Sequence, residues 1–295
     1  MIDILLVMIE QSLMYVPLVI GAYISFSLLK VPDLSIESAY VIGAVFASQL
    51  LLNASPISLP VLMVMVLVAS CIGGACVGVV SSLLTQRGKL PHLLSSIITN
   101  GLFHGISQYI SPIYVSLSGA PNALLLFSSD TRHPEFVMLL LIGAVVACVI
   151  ALLFQTQLGY AYAIYGNNAQ FFSNYGISTA YVFITGIMLA NALAGLSGYL
   201  FAQSNSFLEL NMGYTKALLC LTALILGKSM VRGSTFSIMV PLVGTGAYFV
   251  LQQLLIKVDF NLKYFTAVQA CIVAAILIYS YRNISERSIR DNLGV

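Results

Sequence analysis

Nine stretches of this sequence, at roughly 5–29, 38–53, 60–84, 92–111, 135–155, 177–202, 214–230, 234–256 and 264–281, are dominated by apolar residues. A helix that crosses the hydrocarbon core of a bilayer needs about 20 such residues, and it satisfies its backbone polar groups within itself. The rest of the composition agrees. Hydrophobic residues make up 59% of the chain and charged residues only 7%, whereas a soluble domain carries about 25% charged residues to solvate its surface. A soluble enzyme, a nucleic-acid binder and a disordered chain are therefore excluded. The expected fold is all-α, a polytopic membrane protein with about nine (eight to ten) transmembrane helices. Residues 1–285 form one transmembrane domain, and 286–295 form a short tail. The second run is short and follows VPDLSIES at 31–38, the composition of a broken helix.

Lys and Arg in the short loops set the orientation. With the C-terminus in the cytoplasm, the cytoplasmic segments hold Lys30, Arg87, Lys89, Lys228, Arg232, Arg282, Arg287 and Arg290. The external side holds Arg132, Lys257 and Lys263, with Lys216 at the start of a span. Nine spans then place the N-terminus outside. The opening MIDILLVMIEQSL lacks a basic n-region and a small-residue cleavage site, so it reads as the start of the first span. The five cysteines all lie in apolar runs without a CxxC pair and read as small packing residues.

One loop stands apart. Residues 156–176, between two strong spans, are semi-polar and uncharged, with Gly159, Gly166, Gly176 and the pair Asn167–Asn168. A simple connector needs only about six residues. The composition suits a short amphipathic helix flanked by glycines and lying at the membrane surface.

At this loop the sequence resembles the permease subunits of bacterial ABC importers of the branched-chain amino acid, ribose and nucleoside type. Within them it is most similar to permeases of tryptophan/tyrosine-type systems. The resemblance rests on VPDLSIES, on Thr156, Leu158, Gly159, Ala161, Gly166, Asn168, Gly176 and Ile177, and on a third stretch at 189–230. In that stretch Gly195, Ser197, Gly198, Phe201, Ala202, Gln203, Phe207, Met212, Gly213 and Gly227 fall in step. Two positions depart from the family pattern: Ala163 stands where an Arg is usual, and Lys228 where an acidic residue is common.

The resemblance implies a bacterial inner-membrane importer subunit that moves a small amino acid-like or similar polar solute. It implies a second permease copy, two ABC ATPase subunits and an extracytoplasmic solute-binding protein as partners, with lipid around and no nucleic acid. The 156–176 loop becomes the coupling element, with Gly159, Tyr165, Gly166, Asn168, Phe171, Gly176 and Ile177 as its key residues. Its rings, Tyr160, Tyr162, Tyr165, Phe171, Phe172 and Tyr175, are expected to seat in a cleft on the ATPase. The long segment 111–134 offers a landing surface for the binding protein. ATP and Mg belong to the partner ATPase; this chain has no phosphate loop, no catalytic constellation and no expected cofactor or metal.

Polar residues inside apolar runs are costly and usually face an interior or a water-filled path. Asn100, His104 and Gln108 recur every fourth residue and form one helical stripe. With Asn191 and Gln203 they are the candidate translocation path; interhelical hydrogen bonding is the competing reading. Glycines at 73, 74, 78, 195, 198, 244 and 246 suit close helix approach. A short echo, Asp33-Leu-Ser-Ile and Glu209-Leu-Asn-Met before two spans of opposite sense, suggests an inverted repeat. The alternative function is a secondary transporter driven by an ion gradient, which calls for paired intramembrane carboxylates.

Overall fold

The structure, a computed structural model, describes residues 2–53, 58–125, 134–174, 176, 178–231, 237–258, 264–275 and 278. Each of the nine apolar stretches carries a helix among its described residues. They are α1 (Ile2–Ala22), continued by a π-helical turn Tyr23–Leu28, then α2 (Ile36–Leu52), α3 (Leu59–Gln86) and α4 (His92–Ile110). After them come α5 (Pro134–Phe154), two short helices α6 (Gln157–Asn167) and α7 (Gln170–Asn174), α8 (Thr179–Ser204), α9 (Lys216–Met230) and α10 (Met239–Lys257). Phe265–Ala275 forms α11. Among the described residues five helical segments are long and apolar enough to cross a membrane: Leu6–Leu28, Leu59–Gln86, Glu135–Phe154, Thr179–Ser204 and Met239–Lys257. The tail at 286–295 lies outside the described residues.

α2 and α9, at 17 and 15 residues, fall short for a reason visible in the packing. α2 lies at the centre of the bundle between α3 and α8, and nearly all its side chains are buried. It therefore meets helices instead of lipid. The chain breaks before it at 29–35 and again before α9 at 205–215, so both helices start within the fold. The two starts meet: the Glu37 carboxylate accepts the Ala217 N–H at 3.4 Å. The segments carrying the sequence echo are thus the two helix breaks.

Glycine governs the central contact, as lipid supplies no hydrophobic force to drive helices together. A Cβ added at Gly43 would lie 2.3 Å from Gly195 Cα, and one at Gly74 would lie 2.2 Å from the Asn191 carbonyl. Three backbones, α2, α3 and α8, therefore touch without side chains between them. Gly246, by contrast, has open space around it.

The connections gather at two ends. Lys30, the α3–α4 turn with Arg87 and Lys89, the α6–α7 pair and the end of α9 share one end, held by several contacts. Tyr23 Oη accepts the Ser237 N–H at 3.2 Å, the Tyr23 and Phe154 rings lie 5.9 Å apart, and Tyr165 hydrogen-bonds Gln86. This is the basic end. At the far end a two-stranded antiparallel ribbon pairs β1 (Tyr114–Ser116) with β2 (Phe207–Glu209), a small addition to an otherwise helical fold. Asp130, Arg132 and His133 of the 111–134 segment lie outside the described residues.

Candidate functional site

The 156–176 segment folds as α6 and α7 at the basic end. Thr156 takes the N-cap position of α6 with extended backbone, and its hydroxyl donates to the Leu153 carbonyl at 2.6 Å. The glycines do not flank the helix as expected; Gly159 and Gly166 lie in its first and last turns. Each removes a side chain where backbone meets backbone. A Cβ at Gly159 would lie 2.5 Å from Phe154 Cα, and one at Gly166 would lie 2.0 Å from the Leu28 carbonyl oxygen. Gly176 instead supplies a left-handed turn, φ +68°, with open space around it. Asn168 caps the C-terminus of α6 through its N–H to the Ile164 carbonyl, 2.8 Å. Ile177 lies outside the described residues.

The aromatic face divides in two, which corrects the expectation that all its rings present one surface. Tyr162 and Phe172 are buried, and Tyr165 is half-buried against Phe183, with ring centroids 5.7 Å apart. Tyr160 and Phe171 are exposed, at 57% and 39%, beside exposed Leu158 and Ile164. Tyr175 lies outside the described residues. Burial pushes the Tyr162 and Tyr165 phenols above their ordinary value, against hydrogen bonds to Thr185 and Gln86 respectively. One ring set thus anchors α6 to the bundle, while Tyr160 and Phe171 keep part of their surface exposed, Phe171 edge-on to Phe172 at 5.8 Å.

Sequence reasoning singled out Asn168, but the neighbouring Asn167 makes the connection to the rest of the fold. Lys30 Nζ donates to Asn167 Oδ1 at 2.6 Å, and Asn167 Nδ2 donates to the Ala163 carbonyl at 2.9 Å. Ala163 itself packs partly buried against the core, where a long basic side chain would have no room to lie inward. Lys228 is within electrostatic reach of Lys30. Of the two departures from the family pattern, Ala163 packs partly buried on α6 and Lys228 is exposed at the end of α9.

Just beyond Lys30 lies a buried polar cluster. Asp33, fully buried, accepts the Ser35 N–H at 2.9 Å and the Ser35 hydroxyl at 2.6 Å through Oδ1, an Asx-type turn leading into α2. Its Oδ2 accepts Asn191 Nδ2 at 2.8 Å, and Asn191 Oδ1 in turn accepts the Ser35 hydroxyl at 3.2 Å. His92 Nε2 approaches Asp33 Oδ1 at 3.5 Å, long for a formed hydrogen bond. Thr85 Oγ1 meets His92 Nδ1 at 2.9 Å, and the His92 ring stands edge-on to Phe183 at 5.2 Å. Burial pushes the Asp33 carboxyl up; His92, Ser35 and Asn191 outweigh it and hold it below the ordinary carboxylate value. The cluster joins the break before α2 to the ends of α3 and α4 and to the middle of α8.

The five path candidates separate in space. Asn191 belongs to the Asp33 cluster. Gln203 is buried within α8, its Oε1 without a hydrogen-bond partner among the described residues. Asn100 hydrogen-bonds Glu37, the His104 ring lies 6.1 Å from Tyr214, and Gln108 Nε2 meets His104 Nε2 at 3.1 Å. Asn100 and His104 face α2 and the 210–214 break across a cavity of about 10 Å³, while Gln108 is exposed. The face of α4 beside it, including Ile97, Gly101, Leu102 and Gly105, is exposed. Glu37 and Lys216 were missed as interior charges, because each sits at the edge of an apolar run and reads there as interfacial.

Among the described residues no group of three or more His, Cys, Asp or Glu side chains converges to hold a metal ion. The family model described as branched-chain amino acid transport system, permease component, matches residues 4–278. The chain is 28% identical over 229 residues to an uncharacterized protein of Rickettsia prowazekii (strain Madrid E), covering 77% of this chain and 78% of that one. It is 29% identical over 226 residues to the tyrosine transport system permease protein of Clostridioides difficile (strain R20291), covering 77% and 73%. No solved structure matches it significantly.

Proposed function

The chain belongs to the family of branched-chain amino acid transport system permease components, and on that premise we propose that it is the membrane subunit of an ATP-driven bacterial importer for a small amino acid-like solute. The likeness to the tyrosine transport system permease protein of C. difficile makes an aromatic amino acid the nearest solute class. Two copies stand side by side in the inner membrane, with the exposed face of α4, which carries Ile97, Gly101, Leu102, Gly105 and Gln108, along the path between them. The basic end faces the cytoplasm, in keeping with Lys30, Arg87, Lys89 and Lys228 gathered there. ATP and Mg act on two separate ATPase subunits, and this chain does no chemistry. A solute-binding protein docks at the far end.

The observation that carries this reading is the seat of α6. An uncharged helix at the basic end rests directly on the backbone at Leu28–Leu29 and is hydrogen-bonded to Lys30. Three residues further on, the same connector carries Asp33 and then starts α2. A push on α6 is therefore delivered to the break before the central helix. Gly166 leaves no side chain at this contact to absorb the motion by changing rotamer. The exposed Leu158, Tyr160, Ile164 and Phe171 supply an apolar, ring-bearing contact of the kind enriched at interface cores.

The test is co-purification in mild detergent with the ABC ATPase of the same system. Tyr160→Ala combined with Phe171→Ala is expected to lower ATPase recovery about tenfold or more, as for buried aromatic interface residues. Folded yield is measured beside it, so that recovery is compared per folded chain. Tyr162→Ala should lower folded yield. Full ATPase recovery with the double variant sinks the assignment. Uptake by the chain alone under an ion gradient would favour a secondary transporter.

A further inference from the structure

At the far end of the bundle a cavity of about 440 Å³ enters between α1, α8, α9, α10 and the first turn of α5. It lies inside a single copy of the chain. Its volume falls in the range of about 300–1,000 Å³ typical of small-molecule sites. Both signs of charge line it: Glu10 of α1, Glu135 of α5 and Lys216 at the start of α9. Such charges are costly within a bundle and usually mark a functional interior.

Lys216 is the most constrained of the three. Its Nζ donates to Tyr15 Oη at 3.0 Å and lies 4.9, 5.4 and 5.3 Å from the ring centroids of Tyr15, Tyr40 and Phe201. Three aromatic rings around one ammonium stabilise the charge without consuming its N–H donors. A lysine carries three donors, and among the described residues Tyr15 is the one hydrogen-bond acceptor recorded for it. The ammonium is thus held in place on the cavity wall with donor capacity left over. Glu135 accepts Asn122 Nδ2 at 3.1 Å, which fixes a carboxylate on the same cavity. Gln11 Oε1, which also lines it, has no partner among the described residues. Tyr248 and Phe249 also line the cavity, their rings packed edge-on to each other at 5.1 Å.

We propose that this cavity binds a zwitterionic α-amino acid within each protomer, its carboxylate on Lys216, its ammonium toward Glu10 and Glu135, and its side chain against Tyr15, Tyr248 and Phe249. Lys216 with Glu10 and Glu135 puts both signs of charge on one cavity wall, the pattern that a ligand carrying both charges complements. The proposal rests on the reading of the chain as the importer's membrane subunit. It adds a solute station inside one copy, apart from the path between copies.

The experiment measures equilibrium binding of radiolabelled L-tyrosine to the full chain in nanodiscs, with its ATPase co-purified where it assembles. L-leucine, tyramine and 3-(4-hydroxyphenyl)propionate serve as competitors. L-tyrosine should bind saturably. Tyramine, which lacks the carboxylate, and the propionate, which lacks the ammonium, should each compete about ten- to a hundredfold less well, the loss of one charge-assisted hydrogen bond. Lys216→Gln should weaken L-tyrosine binding by a similar factor. Because Lys216 also packs among rings, Glu135→Gln at the cavity edge provides a second variant, expected to weaken L-tyrosine while leaving competition by the propionate unchanged. Absence of saturable binding to the wild-type chain overturns the proposal, and so does equal competition by tyramine and L-tyrosine. ATPase co-purification without L-tyrosine binding removes the pocket and leaves the importer reading standing; Lys216-dependent binding without an ATPase removes the importer reading and leaves the pocket.

Discussion

Replacing Gly166 with valine is expected to abolish solute uptake and solute-stimulated ATP hydrolysis while the chain still inserts and folds. The cause is a backbone contact. A Cβ at 166 would lie 2.0 Å from the Leu28 carbonyl oxygen and 2.9 Å from the Leu29 carbonyl carbon. No rotamer relieves a clash between a Cβ and a main chain, so α6 must lift off the turn that ends α1. Overpacking of this kind costs about 1–3 kcal/mol, enough to unseat a helix of 11 residues without dissolving a bundle held elsewhere by α2, α3 and α8. Lifting α6 also separates Asn167 from Lys30. The check is uptake and ATPase rate in proteoliposomes beside the folded yield by size exclusion, with Gly246→Ala as a control that meets open space. Wild-type uptake by Gly166→Val would remove α6 from the transmission path.

Much of this architecture is legible in the sequence, because lipid imposes a strong rule. Each of the nine apolar stretches carries a helix among its described residues, and the loop that departs from the rule is itself the α6–α7 pair. The division of its rings was also readable. Tyr160 and Tyr162 are two residues apart, which on a helix turning about 100° per residue puts them on opposite sides. Tyr162 and Tyr165 share a side, the one that proves buried. Other features were hidden by distance along the chain. An asparagine in an apolar run looks the same whether it faces a water-filled path or a buried carboxylate, and Asn191 finds its carboxylate 158 residues away. Glu37 and Lys216 were hidden by the helix breaks. A charge at the end of an apolar run normally sits at the membrane surface, but here the chain re-enters helix inside the fold, so the ends of α2 and α9 meet there.

Asp33→Ala is expected to produce the largest loss of stability. The carboxylate is fully buried and takes hydrogen bonds from the Ser35 backbone, the Ser35 hydroxyl and Asn191, with His92 beside it. Removing it strands all of these groups away from water, at a cost of about 3–5 kcal/mol. Thermal unfolding of the purified chain should fall by several degrees, and a midpoint within about 2 °C of wild type would contradict the account. A compensating pair isolates the hydrogen bond from the charge. Asp33→Asn alone turns an amide toward Asn191 Nδ2, donor against donor; adding Asn191→Asp restores an acceptor across the same gap and should recover part of the loss. The pH response follows from the direction of the shift. Because the folded carboxyl lies below its ordinary value, its contribution is full above about pH 4 and disappears as the pH falls through the folded value. Wild-type stability should therefore drop on acidification below that point more steeply than that of Asp33→Asn. Equal acid sensitivity of the two would mean that the charge at 33 adds nothing, and that hydrogen bonding alone joins the start of α2 to α8.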